Sequence, residues 1–141
     1  MKAIPKEKDK PRKKKKKTTS QLKKELDKVF SLYIRNKYAK NGQVSCYTCG
    51  RVMPWQEIQN GHFASRSHLA TRYSESNCRP QCVGCNVFGG GRVAIFASKL
   101  ESELGSGTVS RIYREAQKVI KDYPYEEKIQ EYKAKLEELN A

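Results

Sequence analysis

The fold of this chain is decided by two short stretches of its sequence, CYTCG at residues 46–50 and CVGCN at residues 82–86. Each stretch contains two cysteines with two residues between them, a spacing that lets both sulfurs turn toward one ion. Four thiolates complete the tetrahedral shell of Zn²⁺ and leave no position open for a reactant. We therefore predict a structural zinc that stabilises the fold, with the ligands Cys46, Cys49, Cys82 and Cys85.

A disulfide framework suits these cysteines less well than zinc does. The chain has five cysteines, and no apolar segment of a secretion signal follows its basic N-terminus. Both features disfavour disulfides. Buried free cysteines and a redox pair are the alternatives to zinc. The fifth cysteine, Cys78, is interpreted as a strand residue without a special role, or as a substitute for Cys82 in the zinc shell.

The net charge of +14 is concentrated at the N-terminus of the 141-residue chain. Residues 1–17 hold ten lysines and arginines against two acidic residues, and we predict that this tail is disordered. A positive surplus of this kind suits DNA, although a solubilising or localising tail is the alternative. There is no run of about 18 apolar residues that could cross a membrane. We therefore expect an intracellular protein that is not secreted and has no membrane partner.

The apolar pattern predicts an α+β protein in which helices flank a small zinc-stapled core. Before the core, Thr18 and Gln21 can form a capping box that opens a helix, and Asn41-Gly42 is expected to end it. After the core, apolar residues at helical spacing predict three short helices, over 93–104, 109–120 and from Pro124 onward. The predicted regions are the tail 1–17, the N-terminal helix 18–42, the core 43–92 and the C-terminal helical region 93–141.

Inside the core we predict a strand, knuckle and strand over 43–52, further strands at 58–64 and 72–78, and one helical turn over 82–88. In the last helix, apolar residues from Tyr125 to Leu139 form a short heptad-like seam. Such a short seam is more typical of packing within one chain than of a coiled coil. It is also our candidate interface for a dimer.

A histidine and two asparagines accompany the second cysteine motif. His62 lies between the two motifs, Asn77 comes five residues before Cys82, and Asn86 directly follows Cys85. This order resembles the HNH nucleases, in particular those whose ββα-metal core surrounds a zinc held by four cysteines. The longer pattern of GHF at 61–63, RYxExN at 72–77 and QCxxCN at 81–86 is similar to the NinG (Rap) recombination proteins of lambdoid phages. That resemblance extends over much of the chain.

The resemblance implies a ββα-metal (HNH) core and a metal-dependent endonuclease that cuts branched, Holliday-junction-like DNA during phage recombination. It implies that His62 is the general base and that Asn77 orients the loop carrying His62. It also implies that Asn86 ligates a catalytic Mg²⁺ or Mn²⁺ through its amide oxygen. A phage-encoded protein of this kind would act in the host cytoplasm or nucleoid.

One position departs from the usual HNH pattern. Most HNH sites have an aspartate directly before the catalytic histidine as a metal ligand, whereas this chain has Gly61, as the NinG-like pattern does. The replacement ligand that we favour is Glu75, a carboxylate predicted to lie on the neighbouring strand. A surface ion pair of Glu75 with Arg72 is the alternative. Further candidates for the ligand are Asn60, Glu57 and His68.

Basic residues around the predicted site are expected to contact DNA phosphates without reading sequence. They are Lys13, Lys14, Lys15, Lys16, Lys17, Arg66, Arg72, Arg79 and Arg92. Because cutting both strands of a junction needs two active sites, we expect a homodimer, with phage recombination proteins as further partners. The competing hypotheses are a non-catalytic zinc adaptor that binds DNA and an HNH nuclease without structure preference.

Overall fold

A computed structural model describes residues 15–141 and shows a mixed α+β protein. The helices in that range are α1 (Thr19–Lys37), α2 (Leu69–Arg72), α3 (Val93–Leu104), α4 (Thr108–Ala116) and α5 (Tyr125–Asn140). The strands are β1 (Gln43–Ser45), β2 (Val52–Pro54), β3 (Gln59–His62) and β4 (Cys78–Gln81). No helix within these residues is both long and apolar enough to cross a membrane. Most of the predicted disordered tail, including Lys13 and Lys14, lies outside the described residues.

Helix α1 begins where the sequence predicts and ends earlier. The Gln21 amide donates to the Thr18 hydroxyl and the Thr18 amide donates to the Gln21 side chain, so the predicted capping box is confirmed. The prediction that the helix continues to Asn41-Gly42 is wrong, because the helix ends at Lys37. Asn41 and Gly42 have φ angles of 51° and 76°, and they form a tight turn that leads into the first hairpin.

Helix α5 packs along α1, and together they form the largest of three hydrophobic clusters in residues 15–141. Phe30 and Tyr132 meet edge to face with ring centroids 4.9 Å apart, and Ile129 is buried in the same cluster. The apolar seam of α5 is therefore used within the chain, as expected for a seam of this length. Helix α4 stops at Ala116 and does not reach residue 120, since Val119 is 86% exposed and has no core to pack against.

Two antiparallel strand pairs carry the cysteine motifs. The first motif lies in the β1–β2 hairpin, and the second directly follows β4, which pairs with β3 so that His62 lies opposite Cys78. The predicted strand over 72–78 is wrong, because residues 69–72 are helical and residues 75–77 form a 3₁₀ turn. Glu75 is therefore not on a strand beside His62. The second motif continues into a π-helical turn, Gly84–Phe88, which matches the predicted single helical turn.

Candidate functional site

The four cysteines of the two motifs converge on one point. Their sulfur atoms all lie within 4.8 Å of one another, and the Sγ atoms of Cys49 and Cys82 are 3.7 Å apart. Around a tetrahedral Zn²⁺ with Zn–S bonds of about 2.3 Å, neighbouring sulfurs would be about 3.8 Å apart. The Cys85 backbone amide also donates to the Cys82 sulfur, at 3.4 Å. The four cysteines can therefore hold a zinc-like metal ion, and Cys78 is not part of this group.

The four sulfur atoms affect the protonation of one another. Burial raises the pKa of Cys46, but hydrogen bonds from the Cys82 and Thr48 backbones and the Thr48 hydroxyl outweigh it and lower that pKa to about 6. A backbone hydrogen bond from Arg51 favours the Cys49 thiolate, yet burial and the three neighbouring sulfurs together raise the Cys49 pKa to about 12. Four adjacent thiolates repel one another, and a bound divalent ion removes that repulsion.

A cleft of about 760 Å³ opens beside this metal centre, between α1, β3 and the π-helical turn. It is lined by His62 and Asn60 from β3, by Asn86 from the turn and by Asp27 from α1. Of the predicted site residues, His62 and Asn86 are thus brought together. Neither Glu75 nor Asn77 lines the cleft.

His62 is held as a neutral imidazole with one free nitrogen. Its Nε2 lies 2.8 Å from the backbone carbonyl oxygen of Arg72, and because a carbonyl only accepts, Nε2 must carry the hydrogen. Its Nδ1 therefore bears the lone pair, and this buried atom has no hydrogen-bond partner within residues 15–141. Burial lowers the pKa of His62 to about 4. The ring is consequently uncharged at neutral pH and can accept a proton.

Asn77 fixes the chain that follows the histidine. The amide of Ala64 donates to Asn77 Oδ1 at 2.7 Å, while Asn77 Nδ2 donates to the carbonyls of Ala64 and Thr71. The side chain is fully buried. Asn77 therefore ties the segment after β3 to α2, whose last residue, Arg72, supplies the carbonyl that orients His62.

Two asparagine side chains offer oxygen atoms around the cleft. Asn86 Nδ2 donates to Gln59 Oε1 at 2.8 Å, which fixes the orientation of the Asn86 amide. Asn60 Oδ1 is buried and lacks a hydrogen-bond partner in the part of the chain that the structure describes. Amide oxygens are hard ligands of the kind that Mg²⁺ and Mn²⁺ accept beside water and phosphate.

Asp27 is the one carboxylate among the described cleft residues, and the sequence pattern did not point to it. Arg72 donates to both of its oxygens, at 2.9 and 2.7 Å, and the Tyr73 hydroxyl donates at 2.7 Å. Burial raises the pKa of Asp27, but these hydrogen bonds outweigh it, so the pKa stays below its ordinary value. Asp27 lies on α1, far from the cysteine motifs in sequence, and no spacing pattern connects it to them.

The position before His62 is closed by a neighbouring side chain. A Cβ atom on Gly61 would lie 2.6 Å from Cδ and 2.8 Å from Cγ of Gln81, so a side chain at position 61 would require Gln81 to move. Gln81 is fully buried, and its Nε2 donates to the Thr48 hydroxyl and the Gly91 carbonyl. The buried Gln81 side chain thus occupies the space that a side chain at position 61 would need.

The structure contradicts the placement of Glu75 at the catalytic metal. Its carboxylate accepts hydrogen bonds from Lys37 at 3.1 Å, Lys135 at 3.0 Å and Tyr33 at 3.0 Å, between α1 and α5. Burial raises the pKa of Glu75, but Lys135, Lys37 and Tyr33 outweigh it and lower that pKa to about 2. The alternative, a pair with Arg72, is also wrong, since Arg72 pairs with Asp27. Glu75 stabilises helix packing.

The arginines predicted to bind DNA separate into two groups. Arg79 is 3% exposed and is held by Glu103 and the carbonyl oxygens of Glu75 and Cys78, so it cannot meet a phosphate and that prediction is wrong. Arg72 has a side chain only 12% exposed and is held by Asp27. The side chains that do reach solvent are Arg66, Arg92 and the described tail residues Lys15, Lys16 and Lys17.

Fold and site together define a small α+β protein in which four cysteines that can hold a metal ion lie beside a histidine-bearing cleft. A comparison with family models identifies the family to which the chain belongs. The chain belongs to the NinG family, because the model described as "Bacteriophage Lambda NinG protein" matches residues 2–141. No curated protein and no solved structure matches the chain. The NinG part of the sequence resemblance is thereby confirmed, and the HNH assignment stays a prediction.

Proposed function

We propose that this protein is a metal-dependent endonuclease of the HNH type that hydrolyses phosphodiester bonds in branched DNA. Membership of the NinG family indicates a role related to phage recombination, a process in which branched DNA arises. The observation that carries the catalytic part is the state of His62. A neutral imidazole, oriented through Nε2 and unpartnered at Nδ1, lies in a cleft with an asparagine pair and basic residues.

In the proposed reaction His62 acts as the general base. Its Nδ1 takes a proton from a water molecule, and the water oxygen attacks the phosphorus while the bond to the 3′-oxygen breaks. The bond from His62 Nε2 to the Arg72 carbonyl holds the ring in the required tautomer, and it becomes stronger when the imidazolium forms. Because the His62 pKa is about 4, the base is fully deprotonated at neutral pH, and it is a weak base.

Asn86 and Asn60 are the residues that would hold a catalytic Mg²⁺ or Mn²⁺. When bound, such an ion neutralises the charge on the scissile phosphate and the leaving oxygen. Asn86 is oriented by Gln59, and Asn60 presents an unpaired buried oxygen. Asp27 already accepts hydrogen bonds from Arg72 and Tyr73, so we assign it to positioning the Arg72 backbone.

Arg66, on the cleft, and Arg92, beside it, would position the DNA backbone. Arg66 lines the cleft with a side chain that is 62% exposed, and its contact with Asp27 is long at 3.5 Å. An exposed pair of that length costs little to break when a phosphate replaces the carboxylate. The surplus positive charge of the chain predicts an affinity that falls steeply with salt concentration. We propose a homodimer as the form that cuts both strands, with its interface outside the buried seam of α5.

The test of substrate is cleavage of a labelled four-way junction and of a linear duplex with the same arm sequences. Wild type is assayed with Mg²⁺ and with Mn²⁺, and binding is measured in parallel without added divalent ion. We expect cutting of the junction that depends on the ion, and little cutting of the duplex. Equal cutting of both substrates would support the nuclease assignment and contradict the proposed preference for branched DNA. Tight binding with no cutting under either ion would favour the non-catalytic zinc adaptor.

A further inference from the structure

We propose that Phe88 is a stacking platform for a base that is exposed at the branch point of the DNA substrate. This inference rests on the branched-DNA part of the proposed function and assigns a residue to that preference. Phe88 is 85% exposed, which is unusual for a large apolar side chain within residues 15–141. Leaving a phenylalanine in water forgoes about 2 kcal/mol of burial, so an occupant that covers the ring would stabilise the complex.

The backbone that carries Phe88 is held firmly although the side chain is free. Phe88 ends the π-helical turn, and the amides that follow bond back into it, from Gly89 to the Gly84 carbonyl at 2.7 Å and from Gly91 to the Cys85 carbonyl at 2.9 Å. Cys85 belongs to the metal centre. Single π-turns of this kind often occur at functional sites. The exposed ring is thus presented by a loop that is hydrogen-bonded to the cysteine motif, and little backbone entropy is lost when it binds.

The surroundings of the ring favour DNA as the occupant. The residues on both sides of it, Val87, Gly90 and Gly91, line the same cleft as His62, which places Phe88 at the rim of the proposed active site. Arg92 follows the glycines and is exposed, with its guanidinium folded toward Gly89. An aromatic ring beside cations is the combination that binds unpaired nucleotides, with stacking for the base and charge for the phosphate.

Stacking at this position would separate branched from linear DNA. In an intact duplex every base is covered by its neighbours, and inserting a side chain costs a few kcal/mol of unstacking. In an open junction, whose arms are not stacked on one another, the terminal base pairs of the arms present uncovered faces, so stacking there needs less disruption. Phe88 would therefore add affinity for the junction and almost none for the duplex.

The experiment compares binding of wild type, Phe88→Ala, Phe88→Leu and Phe88→Trp to a junction and a duplex without added divalent ion. Val119→Ala is the matched control, because Val119 is 86% exposed and, unlike Phe88, has no residue within two positions of it that lines the cleft. We expect Phe88→Ala to weaken junction binding by about 5- to 150-fold and duplex binding by less than about twofold. Tryptophan should restore junction binding, leucine should not, and the control should match wild type. A 2-aminopurine base at the branch point should change fluorescence with wild type and not with Phe88→Ala.

Three outcomes would overturn the inference. Phe88→Ala could weaken binding to the junction and to the duplex equally, or weaken binding to neither. Leucine could restore binding as well as tryptophan, which would point to a simple apolar contact. Alternatively, Phe88→Ala could convert a dimer to a monomer in sedimentation, which would assign the ring to contact with a second copy of the chain. Cleavage by wild type is scored separately, so failure of the nuclease proposal and failure of the stacking proposal give different results.

Discussion

Alanine at position 61 would place a methyl group where the Gln81 side chain lies. The new Cβ would overlap Gln81 Oε1 and lie 2.6 Å from Cδ and 2.8 Å from Cγ, so the end of the glutamine side chain must move by more than about 1 Å to reach ordinary contact. Gly61 is a strand residue without a positive φ angle, and alanine is therefore compatible with its backbone. Any destabilisation must come from this contact.

The cost follows from what Gln81 would lose. Moving its buried amide breaks the hydrogen bonds from Nε2 to the Thr48 hydroxyl (3.1 Å) and the Gly91 carbonyl (2.9 Å). Each lost bond costs about 1 kcal/mol, and a buried carbonyl left without a donor costs somewhat more. We expect Gly61→Ala to lower the free energy of unfolding by about 2–4 kcal/mol. That corresponds to a fall in Tm of roughly 6–12 °C for a chain of this size.

The assay is thermal and urea unfolding of the metal-loaded protein in a double-mutant cycle. Gln81→Ala removes the obstructing side chain. In the Gln81→Ala protein, Gly61→Ala should therefore lower the free energy of unfolding by at least about 1 kcal/mol less than it does in wild type. Gly84→Ala is the control substitution, because a Cβ there would lie 3.7 Å from the Cys82 sulfur, at ordinary contact distance. Additive effects of the two substitutions, or a Gly61→Ala protein as stable as wild type, would refute the conflict between Gln81 and a side chain at position 61.

Three further predictions concern the metal centre and the packing around it. Cys49→Ser, or treatment with a strong chelator, should remove the bound metal and unfold the core, whereas Cys78→Ser should keep one equivalent of metal by elemental analysis. Glu75→Gln should destabilise the protein by about 1–2 kcal/mol at pH 7 in urea unfolding. Because folding lowers the Glu75 pKa to about 2, the stabilisation by Glu75 is present above about pH 4.5 and disappears toward pH 2. A difference in unfolding free energy between variant and wild type that stays constant from about pH 4.5 to about pH 2 would contradict this prediction. Asn77→Ala should lower the free energy of unfolding by about 2–4 kcal/mol, since three buried hydrogen bonds are lost. A decrease of less than about 1 kcal/mol would contradict the role of Asn77 in tying the segment after β3 to α2.

Local signals in the sequence predicted the elements whose chemistry is local. The capping box at Thr18, the spacing within each cysteine motif and the helical turn over 82–88 all depend on residues a few positions apart. The convergence of the two motifs, which are 32 residues apart, was predicted from the four ligands that zinc needs. The predicted end of α1 was wrong because Asn41-Gly42 suits both a helix end and a hairpin turn, and only the pairing of β1 decides between them. The strand predicted over 72–78 failed because Asn77 draws that segment into a turn through bonds to distant backbone.

The cleft itself was only partly predictable. His62 and Asn86 could be recognised from their positions relative to the cysteines. Asp27 is brought to the cleft by the packing of α1, and Glu75 is drawn away by lysines on α1 and α5, neither of which leaves a pattern in the sequence. The burial of Arg79 was equally hidden, because its carboxylate partner Glu103 lies 24 residues further along the chain.

The most direct test of the nuclease proposal is the single-turnover rate at which wild type, His62→Ala and His68→Ala cleave a labelled junction with Mg²⁺ or Mn²⁺. His68, the other histidine of the chain, does not line the cleft. We predict that His62→Ala lowers the rate by about 10²- to 10⁴-fold with junction binding unchanged, and that His68→Ala cleaves like wild type. A His62→Ala protein that is folded, binds the junction and cleaves it at the wild-type rate would contradict the assignment of His62 as the general base.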